Sequence, residues 1–318
     1  MAETTMVLTF SPISFYYARV RTSWEAGLLG IAFAIVLILG LIGCASFAFL
    51  LSQPAVAGSL STLPSNPWWL IYRDPGPRNP AQPPGIVAAM AVATAIGFVF
   101  SLRSHRLYRR SRTHALPYLL LFFLSLGIEC LRGPAAVLFS ADMSITTSIV
   151  LTRAVYWGRF VGLLALLLCS LYCIELKYRH VYVLGGGSLL VALAIAASIP
   201  VDRTTFLSQL TWKLADEQGV WFMNFAIAVL VVLTAVGAAA LKKDRRFFVF
   251  GGGLTLLLTA RELLFFMVQP VPLVCGIAAL AAGSVVCLRS LSGIYRGPES
   301  PSATRQAASL PPFQRRRE

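Results

Sequence analysis

Long apolar stretches separated by short polar segments dominate the hydrophobic pattern of this chain. A helix that crosses a bilayer needs about 20 mostly apolar residues, because lipid leaves its backbone polar groups to be satisfied within the segment. Eight stretches reach or nearly reach this length, at 26–51, 85–102, 116–139, 145–174, 181–199, 220–241, 247–268 and 271–288. The pattern therefore predicts an all-α, polytopic membrane helix bundle with eight transmembrane helices.

The composition supports a membrane protein and excludes several soluble classes. The chain is 57% hydrophobic and 13% charged, with a mean hydropathy of +0.73. A soluble domain carries about 25% charged residues, so this supply cannot cover a water-facing surface. We therefore exclude a free cytosolic enzyme, a secreted disulfide scaffold and a nucleic-acid-binding protein.

The distribution of basic residues predicts the orientation. Nineteen of the 27 Lys and Arg residues lie in the N-terminal arm, in alternate loops and in the C-terminal tail, whereas the opposite loops hold four. Positive charge marks the cytoplasmic side of membrane proteins. We therefore expect both termini in the cytoplasm, in the inner membrane of a bacterial-type cell, and attribute most of the +14 net charge to orientation.

Three regions follow from this topology. Residues 1–25 form a cytoplasmic arm, and residues 26–290 form the helix bundle. The bundle includes an outer loop at 52–84 that contains eight prolines, a density that forbids a long helix. A second outer connection covers 200–219. The tail at 297–318 is rich in Pro, Ser and Ala and ends in three arginines, so we expect it to be disordered.

The first span permits a second interpretation. The residues Leu41-Ile42-Gly43-Cys44 follow a basic arm and an apolar run, and they resemble the lipobox of bacterial lipoproteins. Cleavage before Cys44 would leave a lipid-anchored protein with seven spans. Apolar residues continue to Leu51, however, and the leader would be long for a signal peptide. We favour an ordinary first span.

Two glycine triplets begin predicted spans 66 residues apart, at 185–187 and 251–253. A repeated two-helix unit would explain the offset, and transporters are often built from such repeats. Glycine also lets helices pack closely in lipid, which would explain the triplets without a duplication.

Five ionisable residues lie at membrane depth, and they are Glu129, Arg132, Arg159, Arg261 and Glu262. Each costs roughly 2.5–3.5 kcal/mol near the bilayer centre, so they must face the bundle and find partners. Glu129 and Arg132 share one helix face and can pair along the helix. The five side chains could form a connected polar site that opens outward and attracts an anionic group, or an internal network of ion pairs that fixes helix register.

The sequence offers no catalytic motif or cofactor site. The three histidines, His105, His114 and His180, all lie in predicted inner loops, and HExxH, GxSxG and P-loop patterns are absent. All six cysteines fall within predicted spans, which favours small buried hydrophobic side chains over metal ligands. We expect neither an enzyme nor a bound metal or cofactor.

These observations favour a transporter or permease-like carrier of a small anionic solute, surrounded by membrane lipids, with a site built from the five membrane charges. The alternative is a non-catalytic membrane sensor or assembly component. In that case the basic segment at 103–112 would bind a cytoplasmic protein partner. An integral enzyme that acts on lipid is a third, weaker interpretation.

Overall fold

The computed structural model describes residues 83–111, 113–141, 144–173, 181–207, 209–267 and 269–295, together with residues 34, 38, 40–43, 45, 46, 48, 49 and 52. This part of the chain is nearly all helical. The predicted N-terminal arm, the proline-rich loop, the candidate lipid-bearing Cys44 and the tail at 297–318 lie outside the described residues, apart from Ser52 and the prolines at 83 and 84.

From residue 83 onward, the described part of the chain forms eight helices and one small hairpin, in the following order. The helices are α1 (Pro83–Ser111), α2 (Leu116–Glu129), α3 (Arg132–Ser140), α4 (Ile145–Cys173), α5 (Val181–Ser198), α6 (Glu217–Lys242), α7 (Arg245–Phe266) and α8 (Pro270–Tyr295). The strands β1 (Val201–Phe206) and β2 (Trp212–Leu214) pair antiparallel between α5 and α6.

Among the described residues, six helical segments are long and apolar enough to cross a membrane, as expected for a membrane-embedded protein. They are Ala88–Ser111, Leu116–Ser140, Ile145–Cys173, Glu217–Lys242, Arg245–Phe266 and Pro270–Ile294. The predicted span at 181–199 corresponds to α5, whose apolar part is shorter. The predicted span at 26–51 is largely outside the described residues, although all of its residues described between 34 and 49 are helical.

The six long segments form a closed ring. Around it, α1 packs on α2, α2 on α4, α4 on α6, α6 on α7, α7 on α8, and α8 returns to α1. The helix α5 lies outside this ring against α4. Twelve of the 14 residues of α2 are buried, so this helix is covered on nearly all sides.

The outward faces of α5 and α6 are apolar. Large hydrophobic side chains are exposed along both helices, including Leu190, Leu193, Phe222 and Leu233, each of which is at least half exposed. Water would disfavour such a surface, whereas acyl chains match it. These faces are therefore suited to contact lipid.

Short polar caps set the turn between α6 and α7. Lys243 ends α6 in the left-handed conformation with a φ of 51°, and its N–H donates to the carbonyl of Ala239 (3.0 Å). Asp244 then begins α7 by accepting a hydrogen bond from the N–H of Arg246 (2.9 Å). Because two residues complete the connection, α6 and α7 are antiparallel neighbours.

The β1–β2 hairpin was not predicted, since we expected only a loop at 200–219. The hairpin is held against the ends of α3 and α4. The indole Nε1 of Trp212 donates to Ser148 Oγ (2.8 Å), and the ring of Phe206 stacks on Phe139 with centroids 4.2 Å apart. At its exposed edge, two hydrogen bonds from Thr204 lower the pKa of Asp202. We call this side of the molecule the hairpin end.

The two glycine triplets have different surroundings. A methyl group on Gly253 would lie 2.7 Å from Cys287 Sγ, so this glycine allows close contact between α7 and α8. Gly186 and Gly187 have no neighbouring atom within 4 Å of the equivalent position. Close packing explains part of the second triplet, and the proposed duplication stays a hypothesis.

Candidate functional site

The predicted third span is broken at its charged residues. The helix α2 ends at Glu129 and α3 begins at Arg132. Pro134 lacks the N–H that would bond the Cys130 carbonyl, and its ring would collide with that carbonyl in a regular α-helix. Gly133 N–H donates to Cys130 instead (3.0 Å), which gives one tighter turn.

The break frees main-chain acceptors for Arg132. The Nε of Arg132 donates to the carbonyl of Glu129 (3.2 Å), and Nη1 donates to the carbonyl of Phe265 (3.3 Å). Both carbonyls lie at helix C-termini, where the last four carbonyls lack partners within the helix and carry partial negative charge. The buried Arg132 therefore caps the ends of α2 and α7. It does not pair with the carboxylate of Glu129.

The carboxylate of Glu129 is taken by α7. Arg261 donates from Nε (2.9 Å) and from Nη2 to Glu129 Oε1, and both side chains are buried. A second ion pair joins Arg159 Nη2 on α4 to Glu262 Oε1 on α7. The side chain of Glu262 is 22% exposed, whereas Arg159 is fully buried. The structure thus brings all five predicted residues into one cluster spanning α2, α3, α4 and α7.

Aromatic rings complete the surroundings of the arginines. The guanidinium carbon of Arg159 lies 4.3 Å from the ring centroid of Phe265 and 4.7 Å from that of Phe266. Arg132 lies 4.8 Å from the same Phe265 ring. Cation–π contacts in a desolvated setting contribute about 2 kcal/mol each, which offsets part of the burial cost. Neither phenylalanine was identified from the sequence, although Phe265 and Phe266 each lie one helical turn after a charged residue, Arg261 and Glu262 respectively.

Two glycines of α4 make room for Arg261. The carbonyl of Gly158 accepts a hydrogen bond from Arg261 Nη2 (2.9 Å). A methyl group on Gly158 would lie 2.8 Å from Ile128 Cγ2, and one on Gly162 would overlap the guanidinium of Arg261. The spacing of four residues around Arg159 is the small-xxx-small pattern of close helix contacts, and it is the signal that could have identified these positions.

Several arginine N–H groups of the cluster lack an acceptor. Among the residues that the structure describes, Arg159 Nε, Arg159 Nη1 and Arg261 Nη1 are buried and without a hydrogen-bond partner. The cluster also holds three arginines against two glutamates. A buried donor without an acceptor costs about 1–3 kcal/mol, and more when it is charged. The arrangement can therefore accept an anionic or neutral oxygen.

The space beside the cluster is small. Glu129, Arg132 and Arg261 contribute to a cavity of about 20 Å³ that α1 closes from the side. A site needs roughly 10–15 Å³ to hold a water molecule, so this cavity fits about one. Within the described part of the chain, this cavity fits no solute larger than water.

The described residues contain no group of three His, Cys, Asp or Glu placed to hold a metal ion. Of the five described cysteines, four are buried, as expected, and Cys275 is exposed.

No protein-family model matches the chain, and no curated protein matches it.

Replacing Gly162 by alanine tests the packing of the cluster. The added methyl group must displace the guanidinium of Arg261, so we expect the free energy of unfolding to fall by about 1–3 kcal/mol. Thermal denaturation of the purified protein in detergent measures the change. Gly252→Ala on α7 is the matched control, because nothing lies within 4 Å of that position. Equal effects of the two substitutions would contradict the close packing.

Proposed function

We propose that this protein is a carrier of a small anionic solute in the inner membrane, with a binding site formed by Glu129, Arg132, Arg159, Arg261 and Glu262. The single observation that carries the proposal is the set of buried arginine N–H groups without an acceptor, in a cluster with one more arginine than glutamate. A carboxylate, a phosphate or a similar anion would satisfy both the charge and the donors.

The surroundings of Arg159 favour it as the contact to the solute. Glu262 occupies one terminal nitrogen of Arg159, which leaves Nε and the other terminal nitrogen available. The guanidinium carbon of Arg159 lies over the rings of Phe265 and Phe266, which restrict its movement. The free Nε and Nη1 flank the nitrogen that Glu262 occupies, so Arg159 can donate one hydrogen bond to an anion on either side of that ion pair.

The break between α2 and α3 supports a moving site. Carriers commonly bind their substrates at discontinuous helices, where irregular backbone supplies polar groups at membrane depth. Here the break coincides with Glu129 and Arg132. Since the adjoining cavity holds about one water molecule, a solute requires the ring helices to separate. In the proposed cycle, we assign this conformation to a closed state.

We also propose that both termini face the cytoplasm. Basic residues concentrate at the ends of the ring helices opposite the hairpin end, in α1, in the α6–α7 turn and at the end of α8. Contacts support a shared side, because Arg246 at the start of α7 donates to the carbonyl of Gly293 at the end of α8. A common basic side is typical of the cytoplasmic face.

Removing one ion pair as a unit tests solute binding. The double variant Arg159→Gln/Glu262→Gln removes both charges of one ion pair and creates no new unpaired charge, so we expect it to fold. The purified wild type should gain thermal stability with at least one anion from a panel of chloride, phosphate, acetate and succinate. It should also take up that anion in liposomes. The double variant should lose the stabilisation and at least nine-tenths of the uptake.

Arg153→Gln serves as the control, because Arg153 is an exposed arginine on the same helix. It should retain both responses. Unchanged uptake by the double variant would contradict the proposed site. A wild type that responds to no anion but co-purifies with a soluble protein through the segment at 103–112 would favour the sensor or assembly function instead.

Cysteine accessibility tests the orientation. In a variant without native cysteines, single cysteines at Arg110 and Lys243 should be protected from a membrane-impermeant maleimide in intact cells and react after permeabilisation. A cysteine at Arg203, an exposed residue of β1, should react in intact cells. Labelling of the first two positions in intact cells would overturn the proposed orientation.

A further inference from the structure

A basic groove lies between the last turns of α1 and α8. These helices are parallel neighbours, because a methyl group on Gly85 near the start of α1 would touch Leu273 near the start of α8. The groove has a volume of about 510 Å³. Its rim carries four arginines, Arg103, Arg106, Arg110 and Arg289. We call this feature the arginine groove.

The arginines of the groove carry uncompensated charge. The three on α1 are spaced by three and four residues, which places them on one helix face. The ranges of α1 and α8 contain no Asp or Glu, and no carboxylate of the described residues pairs with any of the four arginines. All four side chains are exposed. Four like charges around one groove repel each other, so a bound anion would stabilise them.

The floor of the groove is apolar. It is formed by Phe100, Leu107, Val285 and Leu288, while Ser292 adds a hydroxyl at the rim. Phe100 precedes Arg103 by three residues, so the floor extends about 4.5 Å along the helix axis beyond the charged rim toward the middle of the bundle. A charged rim over an apolar floor matches a ligand with an anionic head and a hydrocarbon tail. A free phosphate ion would leave the floor uncovered.

We propose that the arginine groove binds an anionic phospholipid. The four guanidinium groups hold the phosphate oxygens, and the first part of the acyl chains lies on the apolar floor. Guanidinium forks match phosphate geometry, and basic pockets between transmembrane helices at the cytoplasmic side bind such headgroups. A lipid with two phosphates, such as cardiolipin, matches four arginines better than a lipid with one. This site is separate from the membrane-depth cluster and does not rest on the carrier proposal.

Lipid-dependent stability of the full-length protein tests the groove. The purified protein in detergent is titrated with cardiolipin, phosphatidylglycerol or phosphatidylethanolamine in mixed micelles, and thermal denaturation is followed. Cardiolipin should stabilise most and phosphatidylethanolamine least. Arg106→Gln/Arg289→Gln should weaken the apparent affinity for cardiolipin about 30-fold, as expected from the contribution of each basic residue near an anionic headgroup.

A variant that loses the same number of charges elsewhere distinguishes binding in the arginine groove from an effect of net charge. Arg109→Gln/Arg245→Gln removes two exposed arginines that do not line the groove, and its affinity should stay within about twofold of the wild type. Equal losses in both variants would overturn the proposal, because net charge would then explain the binding. Displacement of the lipid by millimolar inorganic phosphate would also overturn it, in favour of a free phosphate site. If the first variant does not purify, Arg289→Gln alone should weaken binding about fivefold.

Discussion

The need to neutralise charge in a medium without water governs the interior of this protein. An ionised side chain near the bilayer centre costs roughly 2.5–3.5 kcal/mol on insertion scales, so the five that are present require compensation. Two ion pairs supply most of it, from Arg261 to Glu129 and from Arg159 to Glu262. Both pairs join residues on different helices. The same interactions that neutralise the charges therefore also hold α2, α4 and α7 together.

Other features of the interior serve these charges. Pro134 interrupts the third span, and because the Gly133 N–H then bonds to Cys130, the carbonyl of Glu129 is left for Arg132. Gly162 leaves the space that the guanidinium of Arg261 fills, and Phe265 lies between two cationic groups. Each feature is ordinary in isolation. Together they hold five ionised groups in one cluster, three of which line a water-sized cavity beside the break between α2 and α3.

The apolar pattern predicted most of the helices, because a helix that crosses lipid needs a run of about 20 mostly apolar residues, which helices of soluble proteins do not need. The five charged residues could be identified for the same reason. The partner of each charged residue could not be identified from the sequence. Adjacent residues on a helix point about 100° apart, so the sequence could not decide whether Arg261 or Glu262 faces α2. The contact from Arg132 to Phe265 depends on where two helices end, which only the packed bundle determines.

The β1–β2 hairpin and the order of the ring helices also could not be predicted from the sequence. Residues 201–214 carry a mixed pattern that suits a loop as well as two short strands, and contacts of Phe206 and Trp212 with α3 and α4 decide between them. The order of helices around the ring depends on contacts between distant segments of the chain. Basic residues at 103–110 were visible in the sequence, but the groove they form requires α8 beside α1.

A double-mutant cycle on Glu129 and Arg261 tests the central claim most directly. The variants Glu129→Gln, Arg261→Gln and their combination are unfolded at equilibrium in mixed micelles, and the free energies of unfolding are compared. If the pair compensates charge as described, each single substitution destabilises strongly. The double substitution then costs less than their sum, with a coupling energy of at least about 2 kcal/mol. Effects that add to within about 0.5 kcal/mol would contradict the account, because the two side chains would then be independent.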